Sequence, residues 1–135
     1  MTKKELSQLY YLNREIIGLQ NRIHELECLA TSCTSKITGM PHVQGAYDKL
    51  GRYAAEIADL KCLLDLSLKR CFYELNRLNR YIESIADSEI RQILSLRYVN
   101  GLSWNQIANS INVDATEDSV RKRHDRYLKY KSKEF

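Results

Sequence analysis

The 135-residue chain is poor in the residues that interrupt helices, since it contains one proline and five glycines. It also lacks any clear run of alternating apolar and polar residues, which is the pattern of a half-buried strand. Because glycine and proline punctuate strands and turns, their scarcity favours long helices. The sequence therefore predicts an all-α protein without a sheet.

No apolar segment approaches the ~20 residues that a membrane-spanning helix needs. The charged N-terminal residues are not followed by an apolar stretch, because Asn13, Arg14 and Glu15 interrupt the one candidate. From this pattern we expect no secretory signal peptide. We therefore expect a cytoplasmic protein that has no membrane partner.

Motifs of catalysis and metal binding are missing as well. There is no G-x-x-x-x-G-K-[ST] phosphate loop, no G-x-S-x-G nucleophile turn and no H-E-x-x-H zinc motif. The four cysteines form no C-x-x-C pair, and adding His24 and His42 gives no usual zinc spacing. We expect a protein that is not an enzyme and binds no metal or cofactor. Its cysteines should then pack as small side chains in helix interfaces; they are Cys28, Cys33, Cys62 and Cys71.

Two long segments carry apolar residues at alternating spacings of three and four, the period of a coiled-coil seam. The first runs from Leu9 to Ala30 and follows Thr2 and Glu5, which are spaced as a helix-capping box. The second covers residues 46–86. Its seam contains two consecutive spacings of four, which predict a local stutter, at Leu60, Leu64 and Leu68.

Residues 31–45 separate the two seams and are rich in hydroxyl side chains, glycine and proline. This composition predicts a connector. Lys36 and His42 within it could contact a phosphate, although an ordinary loop is favoured. Residues 1–86 should therefore form a long antiparallel helical hairpin, a coiled coil, that places Leu6 near Leu75.

The longer second helix should overhang the first, and its overhang needs a partner. The C-terminal domain or a second subunit could cover these apolar turns, which contain Leu78, Ile82 and Ile85. A lone two-helix hairpin also buries little apolar surface. We therefore expect a homodimer in which two hairpins form a four-helix bundle.

Residues 87–135 predict three short helices. Asp87 or Ser88 can cap the first, and Asn100 with Gly101 should end it. The second should start at Ser103, whose capping partner is the glutamine three positions on. The third should begin near Thr116 and bury Val120 and Tyr127, together with His124 or Leu128.

Two apolar residues mark this segment as a helix-turn-helix domain. Ala108 is small at the position where the last two helices cross. Val113 is apolar in the turn and is expected to plug the core there. Trp104, in the first turn of the second helix, could stack on a base, but an indole at this position is more often part of the core.

The last predicted helix holds the excess positive charge. From Ser119 to Lys133 there are seven basic residues and one acidic residue, a net charge of +6, whereas the rest of the chain carries −2. This asymmetry indicates a polyanionic partner, and in a helix-turn-helix that partner is double-stranded DNA. The candidate DNA-binding residues are Thr116, Asp118, Ser119, Arg121, Lys122, Asp125, Arg126 and Lys129.

These candidates divide into two groups. Arg121 and Lys122 could read guanine edges, while Arg126 and Lys129 could contact the phosphate backbone. Asp118 either faces DNA or only favours the helix N-terminus electrostatically. A neighbouring residue, His124, could act as a switch or ligand, but we expect it to pack half-buried beside Tyr127 or to reach a phosphate.

The segment 97–108, R-Y-V-N-G-L-S-W-N-Q-I-A, resembles the start of the fourth conserved region of bacterial sigma factors. Residues 120–122 and Leu128 match the recognition helix of that region, although the turn at residues 114–116 is longer here. The whole chain resembles a family of small phage and prophage proteins with an N-terminal coiled coil and a sigma-like C-terminus, through Ala30-Thr31-Ser32, Ile57-Ala58-Asp59-Leu60, Arg97-Tyr98 and Val120 to His124. The resemblance implies a phage-type transcriptional regulator in a bacterial host cell.

Two other functions fit parts of the same pattern. A sigma-like adaptor would bind RNA polymerase through the C-terminal domain without touching DNA. A small terminase subunit would recognise a DNA packaging site, but such subunits place the helix-turn-helix before the oligomerising helices, and the order here is reversed. The charge asymmetry favours DNA binding over the adaptor.

Overall fold

The computed structural model describes residues 1–34 and 44–134, and it confirms the all-α prediction for them, since no strand occurs in these ranges. None of the described helices is both long and apolar enough to cross a membrane. The elements in chain order are α1 (Lys3–Leu6), α2 (Gln8–Thr34), α3 (Gln44–Glu83), α4 (Ser88–Leu94), a π-helical segment (Ser95–Val99), α5 (Trp104–Ile111) and α6 (Glu117–Lys133).

Local capping explains where several helices begin. Thr2 and Glu5 form the expected capping box at α1, and Ser103 and Gln106 form another at α5. The carboxylate of Asp87 accepts hydrogen bonds from the first backbone N–H groups of α4. Each of these contacts satisfies a backbone donor that the first turn of a helix leaves without a partner.

The described chain divides into two compact units. The discontinuous unit combines residues 1–12 with the residues from 71 onward, and the middle unit comprises residues 13–70. In the discontinuous unit, apolar residues of α1, of the start of α2 and of the end of α3 share one core with the short C-terminal helices. Its buried members include Leu6, Leu9, Leu78, Ile82, Ile85, Ile90, Ile93, Leu94 and Ile107.

This core supplies the partner that the overhanging end of α3 needs. Leu78, Ile82 and Ile85 pack with residues of α4 and α5 from the same chain. Leu6 and Leu75, which the predicted hairpin places near each other, also belong to this core. The overhang therefore no longer argues for a second subunit, and the expected dimer has to rest on other features.

In the middle unit, Ile16, Ile23 and Leu26 of α2 are buried. The half-buried positions of α3 continue at spacings of three and four through Leu64 and Ser67, whereas Leu68 is 37% exposed. The predicted stutter at Leu68 is therefore wrong. The position that faces inward is occupied by a small polar residue, Ser67. A search for large apolar residues therefore assigned the neighbouring Leu68 to the seam by mistake.

Ion pairs join α2 and α3 within the middle unit. Arg22 pairs with Glu56 at 3.3 Å, and Lys61 pairs with Glu27 at 3.5 Å. Their side chains are about half exposed, so each pair contributes at most about 1 kcal/mol. These ion pairs therefore add little to the stability of this unit.

The connector predicted for residues 31–45 is too long at both ends, since α2 continues to Thr34 and α3 begins at Gln44. The hydroxyl of Thr31 donates to the carbonyl of Glu27, and that of Ser32 donates to the carbonyl of Leu29. Hydroxyl side chains that bond to their own helix in this way are compatible with its continuation. The suggested phosphate ligands Lys36 and His42 lie outside the described residues.

The cysteines do not pack as expected. Cys28 and Cys62 are exposed, and Cys71 is half-buried against the core of the discontinuous unit. The side chain of Cys33 lies outside the described part of the chain. The prediction that the cysteines pack in helix interfaces therefore agrees with the position of Cys71, and it is wrong for Cys28 and Cys62.

Candidate nucleic-acid interface

One side of α6 is fixed in the core of the discontinuous unit. Val120 is buried and His124 is fully buried, while Tyr127 and Leu128 are half-buried beside them. The neighbouring helices contribute Ile107 and the small Ala108 of α5, which are both buried. The rotation of α6 about its axis is thereby determined, because turning it would expose this apolar side.

His124 lies deeper than the sequence suggests and contacts different residues. Its Nε2 lies 2.7 Å from the hydroxyl of Tyr98, and its Nδ1 lies 2.9 Å from a carboxylate oxygen of Asp125. The expectation that His124 is half-buried or reaches a phosphate is therefore wrong. Of the two residues that the third helix was expected to bury, His124 and Leu128, it is His124 that is fully buried. The side chain is sequestered within the helical core and cannot reach DNA.

The hydrogen bonds of His124 define its protonation. Burial lowers its pKa, which the hydrogen bond to Asp125 partly opposes, so the imidazole is neutral near pH 7. A carboxylate only accepts, so Nδ1 carries the proton and donates to Asp125. Nε2 then accepts from the hydroxyl of Tyr98, and burial raises the pKa of Tyr98 to about 12. This chain of donors and acceptors links the π-helical segment to α6.

Trp104 belongs to the same core. Its ring makes an edge contact with the ring of His124 at a centroid separation of 4.8 Å. The guanidinium of Arg97 lies 4.6 Å from the centroid of the indole and donates to the carbonyl of Leu102 at 2.9 Å. Since these contacts use the indole, the structure favours a packing role for Trp104 over stacking on a base.

The turn between α5 and α6 packs differently from the prediction. Val113, expected to plug the core, is 98% exposed. Ala115 packs against the core instead, and its backbone N–H donates to the carbonyl of Asn112. The turn consists of the four residues between Ile111 and Thr116. Val113 in its middle points to solvent, and Ala115 at its end packs against the core.

Thr116 and Ser119 form the N-terminal cap of α6. The Thr116 hydroxyl accepts from the backbone N–H of Ser119 at 3.3 Å, and the Ser119 hydroxyl accepts from the backbone N–H of Thr116 at 3.1 Å. The Ser119 hydroxyl also donates to the Thr116 carbonyl at 2.8 Å. Both residues are exposed, but their hydroxyls are used to begin the helix.

The two acidic candidates are engaged within the protein. Asp118 accepts a hydrogen bond from Arg121 at 2.9 Å, one turn along α6. Asp125 accepts from His124, and Lys3 of α1 lies 3.9 Å from the same carboxylate. The placement of Asp118 in the first turn of α6 also suits the helix dipole. These contacts favour structural roles for both carboxylates.

Three cationic candidates remain available. Lys122, Arg126 and Lys129 are exposed and form no ion pair with any other residue in the described ranges. Lys122 and Arg126 line a shallow cleft of 450 Å³ that also borders the turn before α6. Because successive helical residues step by about 100°, Lys122 and Lys129 point almost directly away from the buried Val120.

Sequence reasoning missed two contacts at this site. Arg123 forms an ion pair with Glu89 of α4, so this basic residue of α6 points towards a neighbouring helix of the same unit. Tyr98 holds His124 from 26 positions away in sequence. No local spacing rule connects these partners, although the spacing of four between Val120 and His124 places the histidine on the buried side of α6.

No protein-family model, curated protein or solved structure matches this chain.

Proposed function

We propose that α4 to α6 form a helix-turn-helix that binds double-stranded DNA in a sequence-specific manner, and that the chain is a transcriptional regulator of phage or prophage type. The observation that carries this proposal is the outer face of α6. That face presents Lys122, Arg126 and Lys129 without internal ion pairs, while the opposite side of the helix is buried. The sigma-like sequence pattern of residues 97–108 adds to it. In this proposal the protein binds DNA and is not an enzyme.

A helix of this kind fits the major groove of B-DNA, where its outward side chains reach base edges and phosphates. Arg121 and Lys122 are nearest the N-terminal half of α6 and are assigned to base edges. Arg126 and Lys129 lie further along the helix and are assigned to the backbone. Arg121 must exchange its contact with Asp118 for one with DNA, which costs little because an exposed ion pair contributes at most about 1 kcal/mol.

The first two helices are assigned to assembly. In this proposal α2 and most of α3 form an antiparallel coiled coil, as the seam residues Ile16 and Ile23 and the ion pair between Arg22 and Glu56 suggest. Leu63 and Leu66 lie on the outer side of α3 and are 52% and 46% exposed. A second copy of the chain would cover them, and the resulting dimer would present two copies of α6 to DNA.

The test begins with selection of duplexes from a random pool by the full chain, followed by binding isotherms on selected and scrambled duplexes at several salt concentrations. Arg121→Ala and Lys122→Ala should each weaken binding to the selected site by about 1–3 kcal/mol and relax preference at one base position. Lys129→Ala should weaken binding to all duplexes alike and lower the salt slope by about one.

Lys69→Ala is the matched control, because it removes the same charge from an exposed lysine of α3. It should leave both sequence preference and salt slope close to those of the parent protein. If Lys129→Ala changes sequence preference while Arg121→Ala and Lys122→Ala do not, the residue assignment is wrong. If the parent protein binds no duplex even at low salt, the proposal of DNA binding fails.

A further inference from the structure

A cleft beside α1 in the discontinuous unit carries positive charge on its described lining. Its volume is 450 Å³, and it lies between the start of the chain, the π-helical segment and the start of α5. Two of the described residues that line it are charged, Lys3 of α1 and Arg97 of the π-helical segment. Because no carboxylate among these lining residues balances the two cations, the charge of the cleft favours an anionic group.

Both cations retain hydrogen-bond donors for such a group. Arg97 is held in place, since its guanidinium lies over the ring of Trp104 and donates to the carbonyl of Leu102 at 2.9 Å. A guanidinium has five N–H donors, so this one hydrogen bond leaves others for a ligand. Lys3 pairs with Asp125 at 3.9 Å, and both side chains are exposed. Such a pair is weak, so the ammonium group can turn into the cleft at little cost.

The electrostatic effects of the two cations meet at His124. Burial is the largest cause that lowers the pKa of His124, and the charges of Lys3 and Arg97 lower this pKa further, whereas Asp125 raises it. His124 lies next to the lining of the cleft, because its hydrogen-bond partner Tyr98 lines the cleft. An anion in the cleft is therefore near two positive charges rather than one.

The cleft adjoins the outer face of α6 through Lys3. Since helical residues step by about 100°, Asp125, the partner of Lys3, lies about 60° around α6 from Lys122. Arg126 lies about 40° from Lys122 in the opposite direction. Lys3 and Arg126 thus flank the outer face of α6 on its two sides. A helix that enters the major groove has one sugar–phosphate strand along each side, so Lys3 lies where one of these strands would pass.

The start of α5 leads to the same placement. Ser103 and Gln106, which form the cap of α5, both line the cleft. In a helix-turn-helix, the helix that precedes the recognition helix crosses the DNA backbone. When α6 occupies the major groove, the backbone that α5 crosses therefore passes close to this cleft.

We propose that this cleft receives one phosphate of the DNA backbone, held by the ammonium group of Lys3 and the guanidinium of Arg97. The inference rests on the proposed function of α6, and it extends the DNA interface to the N-terminal helix α1. In this arrangement the burial of Leu6 in the core fixes α1 beside the duplex, and Lys3 becomes a DNA contact outside the helix-turn-helix.

The test uses the full chain and the selected and scrambled duplexes at several salt concentrations. Lys3→Gln should lower the salt slope by about one on every duplex and leave sequence preference unchanged, because the contact is to a phosphate. Lys4→Gln is the matched control, since it removes the same charge from the neighbouring exposed lysine, which does not line the cleft. Its salt slope should be close to that of the parent protein.

Asp125 requires a second control, because Lys3→Gln also leaves its carboxylate without the neighbouring ammonium group, and that carboxylate repels DNA. Asp125→Asn removes this charge, while the amide oxygen can still accept from Nδ1 of His124. In the Asp125→Asn protein, Lys3→Gln should again lower the salt slope by about one. If Lys3 acts only by neutralising Asp125, Lys3→Gln has no effect in this protein and the inference fails.

The phosphate itself can be located with duplexes in which one phosphate at a time is replaced by an uncharged methylphosphonate. At one position of the selected site, this replacement should weaken binding of the parent by about tenfold, as expected for the loss of one charge-assisted hydrogen bond. The same replacement should weaken Lys3→Gln far less, because that variant has already lost the contact.

Circular dichroism of each variant establishes that it is folded before its isotherms are interpreted. The inference is overturned if Lys3→Gln and Lys4→Gln have equal salt slopes, or if no methylphosphonate position separates the parent from Lys3→Gln. Either result leaves the proposed function standing when the parent binds the selected duplex. A parent that binds no duplex even at low salt refutes the proposed function, and this inference with it.

Discussion

Replacing Tyr98 by phenylalanine tests whether the contact with His124 stabilises the fold. The substitution keeps the aromatic ring, so it creates no cavity, and it removes one hydroxyl that lies 2.7 Å from Nε2 of His124. The nitrogen then stays buried as an acceptor without a donor, because His124 is 0% exposed. The variant therefore isolates the cost of one unsatisfied group in the core.

The magnitude follows from the asymmetry of hydrogen bonding. A satisfied hydrogen bond contributes only about 0.5–1.5 kcal/mol net, but a buried polar group that loses its partner costs about 1–3 kcal/mol. Tyr98 is itself 8% exposed, so water has little access to replace its hydroxyl. We expect Tyr98→Phe to lower the free energy of unfolding by about 1–3 kcal/mol, a large part of the stability of a small protein.

The assay is equilibrium unfolding in urea at pH 7.5, followed by circular dichroism. Tyr130→Phe is the matched control, because Tyr130 belongs to α6 and is 65% exposed; it should change the unfolding free energy by less than about 0.5 kcal/mol. Equal stability of Tyr98→Phe and Tyr130→Phe would refute the account of the His124 environment.

Three further predictions concern pH, backbone conformation and assembly. Burial lowers the pKa of His124 below its ordinary 6.5, so as the pH falls the imidazole is protonated in the unfolded chain before it is protonated in the folded protein. The contribution of neutral His124 to the free energy of unfolding is therefore fully present above about pH 6.5. It decreases at lower pH by up to about 1.4 kcal/mol per pH unit, until the pH passes the lower pKa of the folded state. Urea unfolding at pH 7.5 and 5.5 should show this loss in the parent and a smaller one in His124→Gln. Gly101 has a φ of +70°, so Gly101→Ala should cost about 1–2 kcal/mol, whereas Gly18→Ala inside α2 should stabilise the protein by about 0.5–1 kcal/mol; thermal unfolding of both variants compares them. Light scattering at micromolar concentration should give twice the chain mass of 15.8 kDa, and Leu63→Glu with Leu66→Glu should halve it; a monomeric parent protein would contradict the dimer.

Features governed by neighbours in sequence could be predicted well. The capping boxes at Thr2 and Ser103 join residues three positions apart, and the hydrogen bonds around the stop at Gly101 join residues five or six positions apart. The repeating seam that predicts α2 and α3 is similarly local. In each case the physical cause lies within a few neighbouring residues, so the sequence contains all the information that is needed.

Features governed by packing could not be predicted from the same patterns. Val113 and Ala115 are both apolar residues of one turn, and only the path of the backbone decides that Ala115 reaches the core. Ser67 replaces Leu68 in the seam because the period, rather than the size of the side chain, decides which residue faces inward. The burial of His124 depends on Tyr98, which local reasoning could not pair with it.

The candidate site shows the same division between local and distant causes. Positive charge on α6 was visible in the sequence, and Lys122, Arg126 and Lys129 are exposed, as the proposed contact with DNA requires. The internal use of Asp125 was not visible, because its partners come from the buried side of α6 and from α1. Charge can be counted along a chain, but its availability depends on the fold.

The discontinuous unit has a consequence for the order in which the protein can fold during synthesis. Leu6 and Leu9 belong to a core whose other members come after 58 intervening residues, 13–70. At about 5–20 residues per second, a ribosome needs roughly 3–12 s to add that segment. Throughout this interval Leu6 and Leu9 lack the neighbours that α3 to α6 later supply, so the exposure of these side chains to chaperones and to other nascent chains is set by the speed of translation.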